Sequence, residues 1–186
     1  MMSDISAPNV PITPTQACAV IDHMVDAMAY HSSCPIRRAI ILTDIHTHPN
    51  TSQAAIRERI DLNIGKSTLN RDIDWMFNYG VIRRKESAKD ARKITLTISA
   101  YSTEHIQNAL NLFKNSEKSL QNFLKGLIHI LQDDKSTLRE AKIIAKIHEN
   151  GTISKQEVLE SLYNGSAATA SRAFSKLVEE GLIEDV

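Results

Sequence analysis

The sequence predicts a mainly α-helical chain with one β-hairpin, and three observations carry that expectation. Only 5% of its 186 residues are aromatic, while Leu, Ile and Ala supply most of the 42% apolar content. Apolar residues recur at helical spacing through most of the chain. Two short β-like runs, 81–85 and 93–98, interrupt it, and the second alternates with the period of a strand. Lys and Arg number 22 against 22 Asp and Glu, so overall charge favours no class of partner and only its placement is informative.

Residues 1–12 hold Pro8 and Pro11 without periodicity and read as a flexible arm. Thr13-Pro14-Thr15-Gln16 has the form of a helix start, with Thr13 as cap, Pro14 in the first turn and Gln16 closing a capping box. Apolar positions 17, 20, 21, 24, 25 and 28 then form one stripe to about His31. After Pro35, Ala39, Ile40, Ile41, Leu42 and Ile45 predict a mostly buried helix, broken at His46-Thr47-His48-Pro49-Asn50. Thr51 or Ser52 caps a short helix with Ala55, Ile56 and Ile60. Another helix is expected from Lys66 to about Tyr79, with Leu69, Ile73 and Met76 inward and Gly80 ending it. Strands over 81–85 and 93–98 flank a loop at 87–92. Helix, helix, helix, hairpin is the order of a winged helix-turn-helix.

Residues 99–133 read as one long helix. Ile106, Leu110, Phe113, Glu117, Leu120, Leu124, Leu127 and Leu131 alternate spacings of 4 and 3, a heptad seam with one polar interruption. Such a seam closes either on its own chain or on a partner helix, and its length favours a second subunit.

The last third echoes the first module. At an offset of 102, Ala39, Ile41, Leu42, Ile45 and His46 match Ala141, Ile143, Ile144, Ile147 and His148, and Ser52, Ile56 and Ile60 match Ser154, Val158 and Leu162. At an offset of 101, Thr68, Arg71, Ile73, Met76, Gly80 and Ile82 match Thr169, Arg172, Phe174, Leu177, Gly181 and Ile183. The expected organisation is a flexible arm at 1–12, a winged module with flanking dimerisation helices at 13–133, and a second, wingless helix-turn-helix at 134–186, which has five residues after Gly181.

A recognition helix needs one packing face and one face of donors for phosphates and base edges. Ser67, Thr68, Asn70, Arg71 and Asp74 occupy the outer positions after Lys66. Arginine pairs with guanine and asparagine with adenine, while hydroxyls and Lys66 suit phosphates. From Lys66 to Lys93, eight basic residues, Lys89 and Arg92 among them, face four acidic ones, leaving +4. From Gly151 onward, three basic residues face six acidic ones, leaving −3. Counterion release favours DNA at the first module, and the acidic second one reads more readily as a protein-docking element than as a weak second DNA contact through Thr169, Ser171, Arg172 and Lys176.

Ser67-Thr68-Leu69-Asn70-Arg71, then Met76, Gly80-Val81-Ile82, Asp90-Ala91-Arg92 and Leu96-Thr97 together resemble the signature of the MarR family of transcription regulators, over roughly residues 13–133. The resemblance implies a homodimer joined by the helices at 13–31 and 99–133, acting on a roughly palindromic site with half-sites about one helical turn (~10 bp) apart. It also implies that Ser67, Thr68, Asn70 and Arg71 enter the major groove. Arg92, oriented by Asp90, would reach the minor groove, where arginine suits the narrow negative cleft. Residues 134–186 depart from the family pattern. Relatives often respond to small ligands, but no residue here identifies one.

Other chemistries find little support. Gly65-Lys66-Ser67-Thr68 resembles the end of a phosphate-binding loop, yet position 60, where that motif needs glycine, is Ile. Asp44, His46 and His48 are spaced so that they do not share one helical face, and Cys18 and Cys34 form no CxxC. Trp75, the sole tryptophan, reads as a packing residue. No nucleophile stands beside a base, so neither an enzyme nor a cofactor is expected. The N-terminus has no secretory pattern, no stretch suits a membrane, and a cytoplasmic location follows. The rival reading is a tandem winged-helix architectural or assembly protein, either an accessory of chromosome condensation or a plasmid replication initiator that binds repeated sites as a monomer.

Overall fold

The computed structural model describes residues 12–152, 154–160, 162 and 166–185. The arm expected at 1–12 lies outside the described residues but for Ile12. The fold is mainly helical with a small two-stranded antiparallel sheet. In order come α1 (Pro14–Ala27), α2 (Ile36–Thr47), α3 (Gln53–Arg59), α4 (Lys66–Asn78), β1 (Ile82–Ser87), β2 (Asp90–Ile98), α5 (Ala100–Asn111), α6 (Glu117–Leu131), α7 (Leu138–Asn150), α8 (Lys155–Glu160) and α9 (Ala167–Glu179).

The start of α1 is the capping box that its sequence describes. Gln16 N–H donates to Thr13 Oγ1 at 3.2 Å, and Thr13 N–H to Gln16 Oε1 at 2.9 Å. Pro14 occupies the first turn, where its missing N–H costs nothing. At the far end of α4, Gly80 takes φ +71°, a conformation open to glycine at little cost. There Val81 N–H donates back to Met76 O at 2.8 Å.

The hairpin is longer than the alternation suggests. Pairing runs from Ile82 opposite Ile98 to Glu86 opposite Ile94, then slips, so that Ser87 faces Asp90. The expected six-residue loop is therefore a short turn at Ala88-Lys89 beside an irregular stretch of β2. Arg92 lies within that stretch, on the strand rather than at the tip. An isolated bridge joins Thr51 to Leu96, whose N–H donates to Thr51 O at 2.8 Å, and fastens the hairpin to the loop before α3.

The expected single helix over 99–133 is two helices. Lys114 and Asn115 both take positive φ (52° and 62°), and Ser116 then caps α6 by accepting from Ser119 N–H at 3.2 Å. Asparagine tolerates the left-handed region and serine is a favoured N-cap, so Asn115-Ser116 ends one helix and starts the next. The seam continues in sequence but not along one axis. Ile106 and Leu110 are buried where α5 packs on α1, and Leu120, Leu124, Leu127 and Leu131 are buried with α6 against α2. The seam closes on its own chain, and its apolar residues are not free to meet a second copy.

Packing also crosses the boundary expected at 133/134, because α7 lies along α1. One continuous core therefore joins the first and last thirds of the chain. Among the described residues no helix is long and apolar enough to cross a membrane.

Candidate nucleic-acid interface

Both acids of the recognition-helix candidate α4 are paired, one behind the helix and one on its exposed side. Asp72 is fully buried and accepts from Arg37 Nε at 2.6 Å, Arg37 Nη2 at 3.2 Å and Arg38 Nε at 2.7 Å. Asp74 pairs with Arg84 on β1, and the Arg84 guanidinium also lies 4.6 Å from the Phe77 ring centre. Both carboxylates of α4 are thus matched by arginines. Lys66 and Arg71 stand exposed on the same helix without an acidic partner on it. This pairing, invisible in a charge count, removes the two acids that would oppose an anion.

Gly65 precedes α4 with no side-chain cap, so the first-turn N–H groups lack a capping oxygen. Lys66 and Ser67 flank that end, exposed, and Thr68 is half-buried, its Oγ1 3.5 Å from Arg71 Nη2. Asn70 Oδ1 accepts from Gln53 Nε2 of α3, an amide pair that joins the two helices.

Between α3, α4 and β2 lies an open cleft of about 700 Å³. Arg57, Lys66, Asn70, Arg92 and Lys93 line it, with Glu58 as its one acid. Of the residues singled out from the sequence, the fold gathers Lys66, Asn70 and Arg92 here. It leaves Ser67, Thr68 and Arg71 on α4 outside the cleft lining, and Lys89 and Asp90 at the turn of the hairpin. Asp90 Oδ1 accepts from the Arg92 main-chain N–H at 3.0 Å and shapes the turn.

Arg57 escaped the sequence reading, and Lys93 entered it only in the charge count. The signal for Arg57 was its place directly after Ile56, the buried residue of α3, which turns position 57 outward. Arg59, two residues on, is spent on structure. It clamps Asp44 through Nε (3.0 Å) and Nη2 (2.7 Å) and reaches Thr51 Oγ1 at 2.6 Å. Asp44 thus answers Arg59 and also lies 3.6 Å, through Oδ1, from His48 Nδ1.

Trp75 is a packing residue. It stacks 4.4 Å from Tyr79, meets His31 edge-on at 5.1 Å, and carries the Arg38 guanidinium 4.5 Å from its ring centre. Both thiols are buried. Burial pushes the Cys34 pKa up to about 12 and raises that of Cys18, which disfavours the thiolate that redox chemistry needs. Elsewhere among the described residues, His23 and Asp26 on α1 and His105 on α5 bring ligand-type atoms within 4.8 Å of one another. His105 Nδ1 lies 3.9 Å from Asp26 Oδ2.

No protein family, curated protein or solved structure matches this chain.

Proposed function

We propose that this chain is a sequence-specific, double-stranded-DNA-binding transcription regulator. Its reading unit is a winged helix-turn-helix made of α2, α3, α4 and the hairpin. One observation carries the reading: Lys66 and Asn70 of α4 line the same cleft as Arg92 and Lys93 of β2. A helix that enters a major groove and a wing that follows the adjacent backbone need that juxtaposition. Arg71 and Thr68 stand further along α4 and serve base edges and phosphates. The cationic side chains supply counterion release. The apolar seam residues lie inside the core of one chain, so two copies paired through 13–31 and 99–133 would meet on the other faces of those helices.

The direct test is binding of the purified chain to fragmented genomic DNA of its source at near-physiological salt, with bound fragments sequenced. Enrichment of one short motif is the expected result. Salt-sensitive binding without a motif would replace regulation with an architectural role, and no binding would remove DNA as the partner.

A second reading draws on one specific observation. The break at Lys114-Asn115 leaves no long heptad helix to pair two chains, which suits a monomeric binder of repeated sites, such as a replication initiator. Enriched fragments that carry the motif several times in direct repeat would favour that role over control of single promoters.

A further inference from the structure

The two halves of the chain contact each other reciprocally, residue for equivalent residue. Ile36 N–H donates to Ser136 O at 2.8 Å, and Leu138 N–H donates to Cys34 O at 3.0 Å. At the offset of 102 found in the sequence, Ile36 corresponds to Leu138 and Cys34 to Ser136, so the two bonds are one contact made twice. Arg37 Nη1 reaches Asp134 O at 3.4 Å, and its equivalent Arg139 reaches Ser32, the equivalent of Asp134, through Nη2 to Oγ at 2.9 Å. Contacts within each half are repeated as well: His31 packs on Trp75, while their equivalents Asp133 and Lys176 form an ion pair at 3.5 Å. Arg38 lies over Trp75, while Glu140 meets Lys176 at 3.1 Å. The chemistry of these last two pairs has changed but their positions have not.

Whole elements follow the same rule. α1, shifted by 102, falls on α6, and α2 falls on α7. α1 packs on α7 and α6 packs on α2. Both recognition-type helices end alike. Gly80 and Gly181 take φ +71° and +69°, and Val81 N–H to Met76 O (2.8 Å) is repeated by Leu182 N–H to Leu177 O (2.9 Å). Contacts in which i meets j and j meets i are those of a two-fold interface. Here the interface is folded into one chain, and among the described residues β1, β2 and α5 occur only in the first half.

Equivalent residues tie each recognition-type helix to the helix behind it, Arg38 to Trp75 between α2 and α4 and Glu140 to Lys176 between α7 and α9. The outward residues of α9 are equivalent too. Arg172 is exposed like Arg71, and Thr169 and Ser171 are half-buried like Thr68 and Asn70. The acidic balance of the last third does not reach this face. Between Ser166 and Lys176 there is no Asp or Glu, and the six acids lie at 157, 160, 179, 180, 184 and 185. The charge count that favoured protein docking therefore does not describe the front of α9.

We propose that one chain is by itself a two-headed DNA-binding unit, in which Thr169, Ser171 and Arg172 of α9 make a second, weaker contact on the duplex that α4 reads. Two-fold-related reading helices contact half-sites one helical turn or a whole multiple of it apart, so the second contact is expected at such a spacing from the first. The proposal rests on the reading of α4 as a DNA-contacting helix.

The experiment uses the full chain and a duplex that it selects from a random pool. Native mass spectrometry counts chains per duplex, and hydroxyl-radical footprinting maps the protected segments. One chain per duplex and two protected segments of unequal strength are expected. In the Ser171→Ala/Arg172→Ala variant the weaker segment should lose protection and affinity should fall about tenfold, the scale of one lost arginine contact. Arg172→Glu should deepen that loss. Neither residue is buried, and circular dichroism melting verifies that both variants keep the fold. Two chains per duplex, or an unchanged footprint in both variants, would overturn this inference and leave the α4 reading standing. A chain that selects no duplex would overturn both.

Discussion

Removing the Asp72 carboxylate is the perturbation whose effect the structure fixes most closely. Asp72 lies on the buried side of α4 and answers two guanidinium groups at once, with Nε of Arg37 and of Arg38 at 2.6 and 2.7 Å. The arginine side chains are only 13% and 15% exposed, so Asp72→Ala leaves two poorly solvated cations without their counter-charge. Breaking a buried ion pair from one side costs about 3–5 kcal/mol. For a chain of this size that corresponds to a drop in Tm on the order of 10 °C. Asp72→Asn keeps an oxygen acceptor but loses the charge, and should cost about half as much. Urea unfolding followed by circular dichroism measures both. A double-mutant cycle of Asp72→Ala with Arg38→Ala should show coupling of about 0.5–3 kcal/mol, because the residues share one network. If Asp72→Ala and Asp72→Asn both stay within about 1 kcal/mol of the parent, the arginines are solvated in solution and the account of how α4 is anchored is wrong.

Three further expectations follow from the same geometry. Arg71→Ala should lower discrimination between the selected site and a scrambled duplex by about 1–3 kcal/mol, whereas Lys66→Ala should weaken both about equally and reduce the salt slope by about one; salt-series fluorescence anisotropy distinguishes these. Gly80→Ala and Gly181→Ala meet open space but a positive φ, so each should cost about 1 kcal/mol of stability by backbone strain alone, read by chemical unfolding. Two aspartates should give opposite pH signatures in thermal melts. The Lys135 main-chain N–H holds the Asp133 pKa below its usual value, so the stability it adds is present above the usual aspartate range and lost as pH falls through its lowered folded value. Burial raises that of Asp26, so its contribution is present at low pH and lost as pH rises through the raised folded value, and Asp26→Asn should stabilise at neutral pH.

Local features were legible in the sequence because local physics determines them. The Thr13–Gln16 box, the Gly80 terminus and the alternation of β2 each depend on neighbours within a few positions. The break at Lys114-Asn115-Ser116 was also local, but the apolar spacing happens to continue across it, and the heptad pattern concealed a left-handed pair followed by a cap. What sequence could not supply was pairing at a distance. The neutralisation of Asp72 by Arg37 and Arg38, and of Asp74 by Arg84, decides the electrostatics of α4, yet it joins residues from separate elements. The repeat itself was visible at offsets of 102 and 101. Its consequence, that equivalent residues of the two copies touch each other, is a property of packing and needed the fold. For the candidate interface, Lys66, Asn70 and Arg92 were found from pattern and resemblance, whereas Arg57 joined them only once α3 was seen beside β2.

The central claim, that α4 and the hairpin together grip a duplex, is tested most directly by amide chemical-shift mapping of the isotopically labelled chain titrated with its selected duplex. The account predicts the largest changes at 66–71 and 92–94, with Arg57 close behind and smaller changes at 166–172. Changes centred on α5 and α6, with 66–71 and 92–94 unmoved, would contradict it.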